Sequence, residues 1–281
     1  MYYTKIDTLI DLALEEDATY GDVTSQSIFS ADHVSRATIL AREDMVVCGL
    51  DIAKRVFHRV DPGMKVSLEA SDGDQLTNGS TVLKAEGSTI SLLIAERTAL
   101  NFLQRLSGIA SLSQEYANAT VGTGVRIVDT RKTTPGWRAL EKYAVRCGGC
   151  FNHRSSLGEH VLIKENHITA AGSLKKAVKL AKDFAPHCAK IEVETESLDD
   201  VKEALKAGAE VIMLDNMSPS QIQQAVTLIN KAATIEVSGG ISLDTISDYA
   251  LPGVDVISIG ALTHSAPAAD FSMIIPLNTG E

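Results

Sequence analysis

Six stretches of the sequence end in residues suited to holding or activating a charged substrate. They read Asp129-Thr130-Arg131-Lys132, Lys164-Glu165-Asn166-His167, Glu192-Val193-Glu194, Leu214-Asp215-Asn216, Ser238-Gly239-Gly240 and Ser258-Ile259-Gly260-Ala261. Cationic side chains gather in the same region: Arg131, Lys132, Arg138, Lys142, Arg146, His153, Arg154 and Lys164. Arginine meets a planar carboxylate with two parallel N–H donors, and lysine meets phosphate as a point charge. A run of positive charge is usually a solvated face. Here it falls at strand ends and in the glycine-rich CGGCFNHR (147–154), within a chain of 26 Lys and Arg against 36 Asp and Glu. A multiply anionic substrate is therefore the expected ligand.

Two further features narrow the chemistry. Glu194 and Asp215 end neighbouring stretches, and two carboxylates beside a phosphate site suit Mg²⁺, which takes few protein oxygens. Salt-bridge partners for the lysines would look the same in sequence. Ser238-Gly239-Gly240 and Gly260-Ala261 offer backbone N–H groups near the starts of following helices, where parallel α/β barrels commonly bind phosphate. Sugar phosphate is the natural ligand class.

The elements that position these residues follow from periodicity. From about residue 124, short β-rich runs (125–130, 160–166, 190–195, 210–216, 234–240 and 254–260) alternate with amphipathic stretches. The last four runs recur every ~20–25 residues, the spacing of βα units in a parallel sheet. Such a sheet curls into a barrel, complete or not, or stays open and doubly wound; the barrel is the preferred reading. Its carboxyl ends are where an active site belongs. Before residue 124 lies different material: a helix over 4–16, strand-like pieces at 37–49, 65–70 and 80–87, and a long helical stretch over 89–108. Helices with a few antiparallel strands predict an α+β layer.

The chain as a whole excludes several classes. A net charge of −10 does not suit binding to a polyphosphate backbone. No run approaches the ~20 apolar residues of a membrane span, and the first residues lack the basic start and apolar core of a signal peptide. The expected location is cytoplasmic. Four cysteines are too few and scattered for a disulfide scaffold. Cys147-x-x-Cys150 has no second pair to complete a zinc site. His153, His160 and His167 do not share a helical face, so no transition metal is expected.

The residues resemble one family closely. DTRKTTPGWRALEKYAVRCGGCFNHR (129–154) followed by VLIKENHI (161–168) is similar to the signature of the quinolinate phosphoribosyltransferases. EVE (192–194), MLDN (213–216), SGGI (238–241) and SIGALTHS (258–265) follow in the family's order, and LEEDATYGDVTS (14–25) and ERTALNFLQRLSGIAS (96–111) agree as well. Cys150-Phe151 and Ser155-Ser156 depart from the usual residues beside Asn152-His153-Arg154. The resemblance implies an N-terminal α/β sandwich over 1–110, joined by a returning tail at 266–281, and an incomplete parallel α/β barrel over 111–265.

It also implies roles. Quinolinate's two carboxylates would meet Arg131, His153, Arg154 and Lys164, with Arg97 entering from the other subunit of a homodimer. Phosphoribosyl pyrophosphate would meet Mg²⁺, Lys132, Glu194 and Asp215. Its 5′-phosphate would lie on Ser238, Gly239, Gly240, Gly260 and Ala261, with His264 nearby. Lys132, Lys164, Glu194 and Asp215 form the expected catalytic set, and no organic cofactor is required. Three rivals remain. Molybdenum-operon pyrophosphorylase-like proteins share the TRKT and His-Arg elements, but the LIKENHI and EVE–MLDN set argues against them. A barrel aldolase would need Lys164 as a desolvated Schiff-base amine. A silent phosphate-binding protein would have no reason to keep both acids and every cation.

Overall fold

The computed structural model describes residues 3–276. In chain order the elements are α1 (Tyr3–Ala18), α2 (Val23–Ile28), β1 (Val34–Ala41), β2 (Met45–Val46), α3 (Leu50–Val60), β3 (Lys65–Leu68), β4 (Gln75–Leu76), β5 (Thr81–Ser88) and α4 (Thr89–Ala119). They continue with β6 (Arg126–Val128), α5 (Arg138–Cys147), β7 (Val161–Ile163), α6 (Glu165–Ala171), α7 (Leu174–Phe184), β8 (Ile191–Thr195) and α8 (Leu198–Ala207). The remainder is β9 (Val211–Asp215), α9 (Pro219–Ile229), β10 (Thr234–Ser238), α10 (Ile246–Tyr249), β11 (Val256–Ser258), α11 (Ala261–His264) and β12 (Phe271–Ile274).

The chain divides into two compact units. The first takes residues up to Leu112, Pro135–Gly148 and the chain from Ala266; the second takes Ser113–Thr134 and Gly149–Ser265. Pro135–Gly148 differs from the sequence-based division, which gives it to the barrel. It forms α5, whose Leu140, Ala144 and Val145 are buried. Burying a leucine contributes roughly 1.5–3 kcal/mol, so this apolar stripe governs where the helix packs, although its charges dominate the sequence.

In the first unit, an antiparallel sheet runs in the order β12-β1-β5-β3. Strand β1 shows why: Ser35, Ala37, Ile39 and Ala41 are buried at every second position, the period of a half-covered strand. Helix α3 supplies a matching face through Ile52, Ala53, Val56 and Phe57. The returning tail pairs Thr38 with Ile274 and Ala41 with Phe271. It reaches that position over Gly108, where a Cβ would stand 1.9 Å from the Pro267 carbonyl oxygen. Only glycine admits this approach, which Arg105 secures by donating to the Ala266 carbonyl at 3.1 Å.

In the second unit, six parallel strands run in the order β6-β11-β10-β9-β8-β7. Phe151 adds a parallel bridge to Val128 beyond β6. Among the described residues no ladder joins β7 to that edge, so the barrel is incomplete. Helices end where the sequence places glycine or asparagine: Gly172, Gly208 and Asn230 close α6, α8 and α9 in the left-handed conformation. Serines 173, 197 and 218 cap the starts of α7, α8 and α9. The fold is therefore α/β, an antiparallel sheet layered with helices followed by an open parallel barrel.

Candidate active site

Successive side chains of a strand point to opposite faces. One face of the parallel sheet is apolar and buried: Ile163, Val193, Ile212, Leu214, Ile235, Val237 and Ile257. The alternate positions are Leu162, Glu192, Glu194, Met213, Asp215, Glu236, Ser238 and Ser258. Toward the carboxyl ends this second set, Glu192 excepted, walls a cavity of 380 Å³ together with Thr130, Arg131, Lys132, His153, Arg154 and Lys164. Five of the cations expected from sequence therefore converge. Arg138, Lys142 and Arg146 do not line the cavity. They lie on α5 of the first unit, where Lys142 is 5% exposed. The expectation that they join the anion cluster fails because their segment folds as a helix with a buried stripe.

Asp129 organises the cationic loop. Fully buried at the end of β6, it accepts from Asn152 Nδ2 at 2.6 Å and from the His153 N–H at 2.9 Å. Phe151 pairs with β6 through its own backbone, donating to Ile127 O at 2.8 Å, while its ring lies under the Arg126 guanidinium at 5.2 Å. It is not part of the cavity wall. Cys150 is buried and donates to Ser113 O at 3.0 Å. These two departures from the family pattern thus serve packing.

His153 shows how the site sets charge. Its Nε2 stands 3.4 Å from both Glu192 Oε2 and Glu236 Oε1. Burial alone disfavours the imidazolium, but hydrogen bonds to the two carboxylates outweigh it and push the pKa up to about 9. In the neutral ring Nδ1 accepts the Arg154 N–H at 2.8 Å, a contact that protonation breaks. His160 Nε2 lies 3.0 Å from Glu192 Oε2. Burial pushes the Glu192 carboxyl up, yet the two imidazoles hold it well below the ordinary range. The ligand atoms of His153, His160 and Glu192 lie within 4.8 Å of one another, but their hydrogen bonds join them as a charge network. Arg154 is 8% exposed and donates to His160 O at 3.1 Å. Burial, then the charge of Arg131, draws its pKa down.

The acids lie across β8, β9 and β10. Lys164, at the start of α6, forms an ion pair with Glu194. Its backbone N–H donates to His167 Nδ1 at 3.0 Å, which explains the histidine of LIKENHI. Burial raises the Glu194 pKa; Lys164 opposes this and the Asp215 charge adds to it. Two neighbouring oxygen-donor side chains, with the charge of Glu194 disfavoured by that of Asp215, fit a hard divalent cation.

The glycine turns flank the cavity. Ser238 is in its wall, and Gly239 and Gly240 follow with φ of 102° and 63°. A Cβ on Gly239 would come 2.7 Å from the Asn216 backbone nitrogen, which itself donates to Ser238 O at 2.9 Å. MLDN and SGGI are thus one interlocked feature. A Cβ on Gly260 would lie 3.0 Å from His264 Nε2 and 3.2 Å from Lys132 Cδ. Thr263 Oγ1 donates to Lys132 O at 2.8 Å. Gly260, His264 and Lys132 are brought together; Ala261 begins α11 beside them. Arg97 is exposed on α4 of the first unit and does not line this cavity.

Sequence reasoning missed Glu236 and His160, and it named Glu192 and Ser258 at strand ends without giving either a role. Ser258 Oγ is buried in the cavity wall with no hydrogen-bond partner. The available signal was parity: each of these strand residues shares a face with a residue that sequence did single out.

A parallel sheet with cations, acids and glycine turns at its carboxyl ends defines an α/β enzyme that handles a multiply anionic substrate. The N-terminal domain of quinolinate phosphoribosyl transferase matches residues 22–107, and its C-terminal domain matches residues 109–274. The chain belongs to this family. It is 41% identical over 278 residues to the probable nicotinate-nucleotide pyrophosphorylase (carboxylating) of Bacillus subtilis, covering 99% of this chain and 96% of that one. It is 41% identical over 286 residues to quinolinate phosphoribosyltransferase (decarboxylating) 2 of Nicotiana glauca, covering 95% and 81%. The solved structure of NadC from Streptococcus pyogenes superposes with a TM-score of 0.93 at 44% identity, covering 98% and 97%.

Proposed function

We propose that the protein transfers a phosphoribosyl group from phosphoribosyl pyrophosphate to quinolinate and releases carbon dioxide, giving nicotinate mononucleotide for NAD biosynthesis. The observation that carries this reading is the convergence of Arg131, His153, Arg154 and Lys164 in the cavity that also holds Glu194, Asp215 and Ser238. Quinolinate carries two adjacent carboxylates. Each charge-assisted contact contributes ~1.5–3 kcal/mol, so several are needed to strip water from a dianion.

In this reading Arg131, His153, Arg154 and Lys164 hold and orient the dicarboxylate, and positioning accounts for much of the rate. Lys132 binds the pyrophosphate end; Ser238, Gly239, Gly240, Gly260, Ala261 and His264 receive the 5′-phosphate. Glu194 and Asp215 face the sugar, where their negative charge stabilises the cation that develops as pyrophosphate departs. Mg²⁺ would be held by Glu194 and Asp215 and would supply neutralising charge to the pyrophosphate. The ring nitrogen bonds to the anomeric carbon and, once quaternised, accepts the electrons of the breaking carbon–carboxylate bond. Carbon dioxide leaves and the ring carbon takes a proton.

The finer reading is a homodimer in the cytoplasm, with Arg97 serving the partner's site. It is supported by Arg97 being exposed on α4, by four cysteines without disulfides, and by the absence, among the described residues, of any helix long and apolar enough to cross a membrane. Mixed dimers of Arg97→Ala and Arg154→Ala subunits would regain activity at one site each if the arginine acts across the interface.

The test is an end-point assay with phosphoribosyl pyrophosphate and Mg²⁺, offering quinolinate, nicotinate or nicotinamide separately. Product and carbon dioxide from quinolinate alone are expected. Turnover of nicotinate would overturn the substrate, and silence with all three would favour a binding protein.

A further inference from the structure

The CxxC at Cys147 and Cys150 has no role in the transfer, and the structure gives Cys147 a different partner. Cys48 and Cys147, far apart in sequence, meet inside the first unit. Their sulfur atoms and an Asp72 carboxylate oxygen lie within 4.8 Å of one another. We propose that Cys48 and Cys147 form a reversibly oxidisable dithiol, with Cys147 as the attacking thiolate and Cys48 as the resolving thiol.

The geometry separates the two roles. Cys48 is fully buried and fixed at the backbone: its N–H donates to Ser107 Oγ at 2.9 Å, and that hydroxyl donates back to Cys48 O at 3.2 Å. Cys147 ends α5, is partly exposed, and is followed by Gly148 and Gly149, the latter at φ 87°. The more exposed cysteine therefore sits at a helix end beside a glycine pair, and the enclosed one on a hydrogen-bonded backbone. A hydrogen bond with Cys48 draws the Cys147 thiol below its ordinary value; burial opposes this and Tyr143 reinforces it. The Cys48 thiol is pushed up by the same hydrogen bond and by burial. A thiolate with solvent access beside a protonated neighbour is the arrangement of a redox-active pair.

A metal site fits these residues less well. Asp72 Oδ1 already accepts the N–H groups of Gly49 and Leu50 at 2.9 and 3.0 Å, which starts α3, and Oδ2 accepts Tyr143 Oη at 2.9 Å. Little of that carboxylate is left for a cation. Cys150 is also excluded as the partner, since its buried sulfur is engaged with Ser113 O.

The oxidant is a hydroperoxide. Cys147 thiolate attacks the terminal peroxide oxygen and breaks the O–O bond. The leaving oxygen takes a proton and departs as alcohol or water, leaving a sulfenic acid. Cys48 sulfur then attacks Cys147 sulfur, forming the S–S bond and breaking S–O, and water departs with the Cys48 proton. Two thiols are oxidised and one peroxide is reduced; a thiol reductant reverses the change. Such reversible bonds are the kind a reducing compartment tolerates.

The experiment uses the full chain carrying Cys188→Ser, which removes the exposed cysteine. Hydrogen peroxide is added, remaining thiols are alkylated, and intact mass and peptide maps are recorded. Before alkylation the intact mass should fall by about 2 Da, and afterwards the maps should show a Cys48–Cys147 linked peptide, an alkylated Cys150 and reversal by dithiothreitol. Adding Cys48→Ser should abolish the link and leave Cys147 trapped by a sulfenic-acid probe, with the circular dichroism spectrum unchanged. Thiols at Cys48 and Cys147 that persist in folded protein, or a link to Cys150 instead, would overturn the assignment.

Discussion

The two ends of the parallel barrel carry acids of the same kind in different circumstances. At the amino ends, Glu210 precedes β9 and accepts the Ile191 N–H at 3.0 Å, while Asp255 precedes β11 and accepts the Ile235 N–H at 2.8 Å. Each satisfies an edge donor where a neighbouring strand begins. The cavity there is the larger, 870 Å³ against 380 Å³, and Lys231 is the one cation among the described residues that line it. On the side that carries the other cavity, Glu192 and Glu236, within β8 and β10, face His153, and Glu194, toward the carboxyl end of β8, faces Lys164 and Asp215. Cavity size is therefore a poor guide to the site, and what each carboxylate faces is a good one. Acids answered by backbone N–H groups hold the fold; acids answered by titratable cations hold charge ready for a ligand.

Four substitutions press on this contrast. The largest effect is expected from Arg154→Ala, which removes a buried charge-assisted contact. Quinolinate kcat/KM should fall roughly 10- to 150-fold, from ~1.5–3 kcal/mol, with an unchanged circular dichroism spectrum. An affinity equal to the wild type would break the dicarboxylate assignment. Next is Gly239→Ala: its Cβ would press on the Asn216 backbone at 2.7 Å, at a φ of 102°. Strain of ~1–3 kcal/mol should appear as a lower Tm and a raised KM for phosphoribosyl pyrophosphate. A fully active, equally stable variant would show that the two turns are not interlocked.

Glu236→Gln acts through pH. His153 has a pKa raised to about 9, so its contribution to stability is full below the unfolded value of about 6.5 and is lost as pH rises through about 9. The variant should flatten the stability slope across that window and move the His153 titration, followed by NMR, toward its ordinary value. An unmoved titration would sink the clamp. The smallest effect on catalysis belongs to Asp255→Ala at the other end. The Ile235 N–H is left without its partner, so urea denaturation should show a loss of ~1–3 kcal/mol, while kcat stays within about twofold. A large loss of kcat with stability intact would erase the distinction between the ends.

Much of this arrangement is legible in the sequence, for identifiable reasons. Strands β8 to β11 are short, β-branched and regularly spaced, and their carboxyl ends announce themselves as Glu194, Asp215, Ser238 and Gly260. The cations of the NHR loop are legible because nothing apolar competes for that segment. Helix α5 is not, because its charges mask Leu140, Ala144 and Val145. Helix α3 lies outside the expected elements too, although its buried face (Ile52, Ala53, Val56 and Phe57) repeats at helical spacing. The return of the tail to the first domain came only through family resemblance, and its pairing with β1 is seen only in the fold, since local pattern cannot name a distant partner strand. Glu236 reads as an ordinary strand residue, and Glu192 as a strand end without a role, until the fold places both against His153. Likewise, Cys48 and Cys147 become a pair only in three dimensions.

The most direct measurement is a crystal structure of the protein soaked with quinolinate. The account predicts the ligand at the carboxyl ends of the parallel strands, its two carboxylates on Arg131, His153, Arg154 and Lys164. Quinolinate in the 870 Å³ cavity at the amino ends, or no bound ligand at saturating concentration, would contradict it.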